Sequence, residues 1–143
     1  MKKIAKTLML VLLTMIMCLT SMPISASEAE NSISPRLSHT NSATFTFIPT
    51  PYVGYIDVSY MGVATSFVSA KLTVTVEKRY LLIRWNEIGT WTSTSTDVYG
   101  SFYYEMALDG YNYYRATFVL EVTGVDGTVD IIDSVIESRS VVN

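Results

Sequence analysis

The sequence predicts an all-β fold, with about seven antiparallel strands arranged as a two-sheet sandwich. Three observations predict it. Apolar side chains recur at every second position from Ala43 onward, the period of a strand half-buried on a sheet. Glycines 54, 62, 89, 100, 110, 124 and 127 fall mostly between these alternating runs, where turns belong. No stretch of helical period and useful length follows the first 26 residues. A small closed barrel is the architectural alternative.

The N-terminal residues are set apart from this pattern. Lys2, Lys3 and Lys6 precede an apolar run from Leu8 to Leu19, broken only by Thr14, and Ser, Pro and Ala follow. This order predicts a secretory signal-peptide helix over 1–26, cleaved after Ala26, with Ala29 the next choice. A membrane anchor would need roughly 20 apolar residues, more than this run supplies. Cys18, the one cysteine, lies between Met17 and Leu19 inside the run and lacks the small neighbours of a lipidated cysteine. Removing 1–26 takes lysine plus arginine from ten to seven against thirteen acids, so the net charge moves from -3 to -6. The exported chain then has no cysteine and stands on packing alone, for which about 115 residues suffice. Residues 27–42 are polar, contain Pro35, and read as a mobile lead-in to a domain spanning 43–143.

Within the domain the strands follow in order. Ile56, Val58 and Tyr60 share one face of a strand that Met61-Gly62 ends. Val68, Ala70, Leu72, Val74 and Val76 alternate with Ser69, Lys71, Thr73, Thr75 and Glu77. Leu81, Ile83 and Trp85 predict a further apolar face, and Phe102, Tyr104, Met106 and Leu108 another. Tyr114, Ala116, Phe118, Leu120 and Val122 form the clearest inward row after that. Asp126-Gly127 is a hairpin signal. In the last strand Ile131-Ile132 and Val135-Ile136 blur the alternation, predicting a bulge or burial on both faces. Trp85 and Trp91 are the only tryptophans, and one of them is expected to be the large central core group.

The segment Asp109-Gly110-Tyr111-Asn112-Tyr113-Tyr114-Arg115-Ala116 resembles the tyrosine corner of immunoglobulin-like sandwiches, where a phenol bonds back to the chain just upstream. Aligning Asp109 with the usual acid selects Tyr113, but strand parity turns Tyr114 inward. Parity is preferred, because the alternative buries the Arg115 guanidinium.

Further features are Ile33-Ser34-Pro35-Arg36, the strand Leu72–Lys78, Trp91-Thr92-Ser93 before a hydroxyl-rich run, and a glycine followed by Tyr114-Arg115. In these the chain resembles an uncharacterised family of small secreted proteins from Gram-positive bacteria, classed as a domain of unknown function. The resemblance implies a secreted β-sandwich and carries over no activity.

The residues offer little chemistry. An acidic chain gives nucleic-acid binding no electrostatic support. His39 is the sole histidine and reads as a surface residue of the lead-in, so neither a triad nor a zinc site is predicted. Asp126, Asp130 and Asp133 have the wrong spacing for an EF-hand and read as a solvated acidic edge. Carboxylates, among them Glu87, Asp97, Glu105, Asp109, Glu121 and Glu137, leave a small glycan hydrolase as the one catalytic alternative. The reading is therefore non-enzymatic, with no catalytic residue, metal or cofactor assigned. Tyr99, Tyr103, Tyr111 and Tyr113 are expected to face outward and, if the strands at 101–108 and 113–122 are close, to form a shelf with Trp91 nearby. Such a shelf predicts a secreted binding or adhesion module for a cell-surface glycan or protein. No membrane partner is expected for the mature form, and a self-assembling envelope component is the alternative.

Overall fold

The computed structural model describes residues 31–33, 38–81 and 83–141. The signal peptide expected over 1–26, with Cys18, lies outside the described residues. Among those described, the secondary structure is entirely β: β1 (Asn31–Ile33), β2 (Thr40–Pro49), β3 (Val53–Gly62), β4 (Phe67–Tyr80), β5 (Arg84–Ser95), β6 (Tyr99–Ala107), β7 (Tyr113–Gly124) and β8 (Val129–Arg139). Every pairing is antiparallel. One sheet has the order β1-β2-β3-β6 and the other β5-β4-β7-β8. No helix long and apolar enough to cross a membrane occurs among the described residues.

The alternation read from the sequence determines what fills the space between the sheets. Ala43, Phe45, Phe47, Ile56, Val58 and Tyr60 come from the first sheet and meet Leu72, Val74, Val76, Ala116, Phe118 and Leu120 from the second in one core. Phe45 and Phe118 touch across the gap at 5.3 Å between ring centroids, inclined by 46°. Tyr60 stacks on Phe102 and Phe67 at 5.6 and 6.1 Å. Tyr114 is the largest side chain buried completely. Its hydroxyl donates to the Gly110 carbonyl at 3.1 Å. Parity thus picked the right tyrosine. Ser140 Oγ donates to that same carbonyl at 3.2 Å, and Gly110 N–H donates to the Pro51 carbonyl at 2.8 Å, so the β6–β7 loop is clasped from three sides.

Several expectations need correction. The lead-in is shorter than 27–42, since β2 starts at Thr40 and residues 31–33 already pair with Ala43–Phe45. A register shift between Phe67 and Ser69 turns Phe67 inward and leaves Val68 45% exposed. Leu81 and Ile83 share no buried face with Trp85: they belong to the tip between β4 and β5 and stand in solvent. β8 has neither a bulge nor double burial. Its register is regular, Ile132 and Ile136 are buried, and Ile131 and Val135 face outward. Neither tryptophan is the central group, because both lie on β5 at the sheet edge, where only one side has a neighbouring strand. The Asp126-Gly127 hairpin is present, with a loop of four residues between β7 and β8, and Gly127 at φ 78° takes the left-handed position that the turn requires.

Phe118→Ala is expected to cost about 3–5 kcal/mol in a denaturant titration, because the contact across the sheets leaves a cavity that cannot close. Burial pushes the Tyr114 phenol above its ordinary pKa. A raised folded-state value means this stabilisation is complete below the unfolded tyrosine pKa and is lost as pH climbs toward the folded one. Tyr114→Phe should lower neutral-pH stability by about 1 kcal/mol, and stability curves of the two proteins should converge in alkali.

Candidate functional site

β3 and β6 pair side by side, so their outward residues form a continuous face. Ile56, Val58 and Tyr60 point inward, which sends Tyr55, Asp57, Ser59 and Met61 outward on β3. Phe102, Tyr104 and Met106 do the same for Tyr99, Ser101, Tyr103 and Glu105 on β6. The register sets Met61 opposite Tyr99, Ser59 opposite Ser101, Asp57 opposite Tyr103, and Tyr55 opposite Glu105. Directly opposed side chains on a sheet lie within contact distance of each other. Gly100 lets the strands close over Tyr60: a Cβ there would lie 2.5 Å from the Tyr60 hydroxyl, which instead donates to the Asp97 carbonyl at 2.8 Å.

Tyr103 is the centre of this face. It is 58% exposed, and its hydroxyl donates to Glu105 Oε1 at 2.6 Å. That bond, followed by slight desolvation and the nearby negative charge, pushes its pKa up to about 12. The phenol stays a neutral donor, tied through its hydroxyl to a partner two residues away. The resulting surface carries exposed rings at Tyr99 and Tyr103, half-exposed Tyr55, two carboxylates, and serine hydroxyls between them.

The other sequence-predicted residues lie elsewhere. Strands β6 and β7 belong to different sheets, so the condition for a single shelf fails. Tyr111 stands on the clasped β6–β7 loop, and Tyr113 starts β7 on the outer face of the second sheet. There the guanidinium groups of Arg79 and Arg139 lie 5.4 and 5.8 Å from the Tyr113 ring centre. Trp91, on β5, pairs with inward-facing Val74 of β4 and packs half-buried against the core, so it belongs to neither surface. Tyr55 and Asp57 were not singled out in the sequence, although the parity of Ile56, Val58 and Tyr60 was enough to place them beside Tyr103.

His39 departs most from expectation. It is 3% exposed, and its Nε2 lies 2.6 Å from Thr128 Oγ1 and 3.3 Å from Asp126 Oδ1. Its backbone N–H donates to Asp130 Oδ2 at 2.7 Å, and that of Ser38 to Oδ1 at 3.3 Å. Asp126 accepts both the N–H and the hydroxyl of Thr128, bonds that hold its pKa below the usual carboxylate range. These residues therefore join the start of β2 to the β7–β8 hairpin. Among the described residues no three metal-ligating side chains converge.

No protein-family model matches this chain, and comparisons with curated proteins and with solved structures yield no match either.

Replacing the acceptor, Glu105→Gln, should bring the Tyr103 pKa down from about 12 toward an ordinary tyrosine, read by NMR titration of ring-labelled tyrosine. Asp130→Ala should cost about 1–3 kcal/mol, because it strands the His39 N–H, and should lower the denaturant midpoint without altering Tyr103.

Proposed function

We propose that this protein is a secreted, non-enzymatic sandwich of immunoglobulin-like type that binds extended glycan chains through the outer face of β3 and β6. The immunoglobulin-like assignment draws support from the strand order, in which the chain passes between sheets after β3, β5 and β6, and from the Tyr114 hydroxyl bonded four residues upstream. Export rests on the leader-like order of residues 1–26 and fits a chain whose single cysteine lies in that leader.

The observation that carries the glycan reading is the Tyr55–Asp57–Tyr103–Glu105 arrangement on the outer face of β3 and β6. A sugar ring presents an apolar face edged with hydroxyls. Tyrosine rings supply area for that face at small entropic cost, while carboxylates and serines accept and donate at its edge. The non-enzymatic reading rests on the setting of the same acids: Asp57 and Glu105 are exposed to water, and Glu105 is engaged as the acceptor of the Tyr103 hydroxyl.

A second reading, a self-assembling envelope component, draws on β8. This edge strand exposes Val129, Ile131 and Val135 on its outer face. Light scattering over a concentration series distinguishes it, since a persistent monomer removes self-assembly.

On affinity gels containing cell-wall polysaccharides, the wild-type protein should be retarded. The Tyr55→Ala/Tyr103→Ala variant should lose about tenfold in affinity, in line with the loss of two stacking rings. Equal mobility of both proteins on every glycan would remove this reading.

A further inference from the structure

The β4–β5 tip reads Tyr80-Leu81-Leu82-Ile83-Arg84, an apolar run where a hairpin ordinarily carries glycine, asparagine or aspartate. Leu82 lies outside the described residues. Tyr80, Leu81 and Ile83 are 54%, 70% and 84% exposed. Leu81 also has φ 48°, the left-handed region that a branched side chain disfavours. Solvation and backbone geometry both count against leucine at this position, and no packing inside the described chain offsets them.

The charges around the tip are segregated from the rest. Five of the six cations among the described residues, Lys78, Arg79, Arg84, Arg115 and Arg139, lie at this end of the second sheet, and Lys71 is the sixth. Lys78 pairs with Asp109 at 2.8 Å. Arg115 pairs with Glu77 at 2.7 Å and stacks over Trp85 at 4.6 Å. No carboxylate among the described residues pairs with Arg84 or Arg139. Glu77, Glu87, Asp109 and Glu137 are the acids of this end, fewer than its cations, while seven acids against one lysine occupy the rest of the described chain. Exposed Tyr52 and Tyr111 reach the same end, since the Leu108 and Gly110 N–H groups donate to the Tyr52 and Pro51 carbonyls.

We propose that this end docks on an anionic lipid bilayer, with Leu81 and Ile83 inserted among the acyl chains and Arg84 and Arg139 against headgroup phosphates. Exposed apolar side chains at a hairpin tip need no complementary shape in a fluid layer. The cations beside it are attracted by anionic headgroups, and the surrounding tyrosines suit the interfacial depth. The acidic remainder of the chain is repelled by the same surface, which orients the molecule with its tip down. This departs from the expectation that the mature form has no membrane partner, which rested on the lack of a spanning segment; a surface contact needs only a few residues. It is independent of the glycan reading and uses a different surface.

Co-sedimentation with phosphatidylcholine vesicles, with and without an equal part of phosphatidylglycerol, tests the proposal. Wild type is expected to sediment with the anionic vesicles and to be released by salt. Leu81→Ser/Ile83→Ser should weaken this by about tenfold or more while near-UV circular dichroism stays unchanged. Arg84→Gln/Arg139→Gln should weaken it several-fold and flatten the salt dependence. The proteins compared lack residues 1–26, the leader that the exported chain has lost, so its lysines and apolar run contribute no binding. Equal sedimentation of wild type and the Leu81/Ile83 variant overturns the proposal, as does equal binding to neutral and anionic vesicles. Concentration-dependent association that the tip variant abolishes, without a vesicle effect, would make a second copy of the chain the occupant and also overturn it.

Discussion

Apolar side chains from two facing sheets, interlocked without a covalent crosslink, are the constraint on which the rest of the structure depends. Phe45 from β2 meets Phe118 from β7 in the middle of that interface, and complete burial of Ile56, Val58, Leu72, Val74, Val76 and Leu120 extends it in both directions. Because successive strand residues point to opposite sides, filling the core commits the intervening residues to solvent. The outward set Tyr55, Asp57, Tyr103 and Glu105 is thus a consequence of the inward set Ile56, Val58, Phe102 and Tyr104. A slip of one residue in either strand would bury the charges and expose the core.

The two ends of the sandwich are closed by polar contacts of different kinds. At one end, Tyr114, Ser140 and the Pro51 carbonyl fix the β6–β7 loop through Gly110, which in turn sets where Tyr111 and Tyr113 stand. At the other, buried His39 and the carboxylate of Asp130 tie the start of β2 to the β7–β8 hairpin. Each closure brings together residues far apart in the chain, and each uses backbone N–H or carbonyl groups that would otherwise be left without partners. The acids at 126 and 130 gain a clear role from this, as acceptors for protein donors.

The glycan face and the basic, apolar-tipped end are separate surfaces. One lies on the outer face of the first sheet, while the other is the β4–β5 tip at an end of the second. A molecule resting on a membrane by its tip would hold the strands of both sheets away from the lipid, and the tyrosine face would remain open at its side. The two proposals are therefore compatible, although neither needs the other.

The inward rows of β3, β4, β6 and β7 were legible in the sequence because a sheet face imposes a strict period of two, and so was the choice of Tyr114 over Tyr113. Where the pattern misled, the cause was a break in that period or a strand with one side open. The shift at Phe67–Ser69 displaced Val68, the β4–β5 turn removed Leu81 and Ile83 from any face, and β5's edge position left both tryptophans half-buried. Which strands share a sheet was decided only by tertiary structure. Alternation specifies the two sides of each strand and carries no information about its neighbours, so the separation of Tyr99 and Tyr103 from Tyr111 and Tyr113 came with the pairing of β6 to β3. The burial of His39 was decided in the same way, because its partners Thr128 and Asp130 are supplied by a hairpin about ninety residues further along the chain.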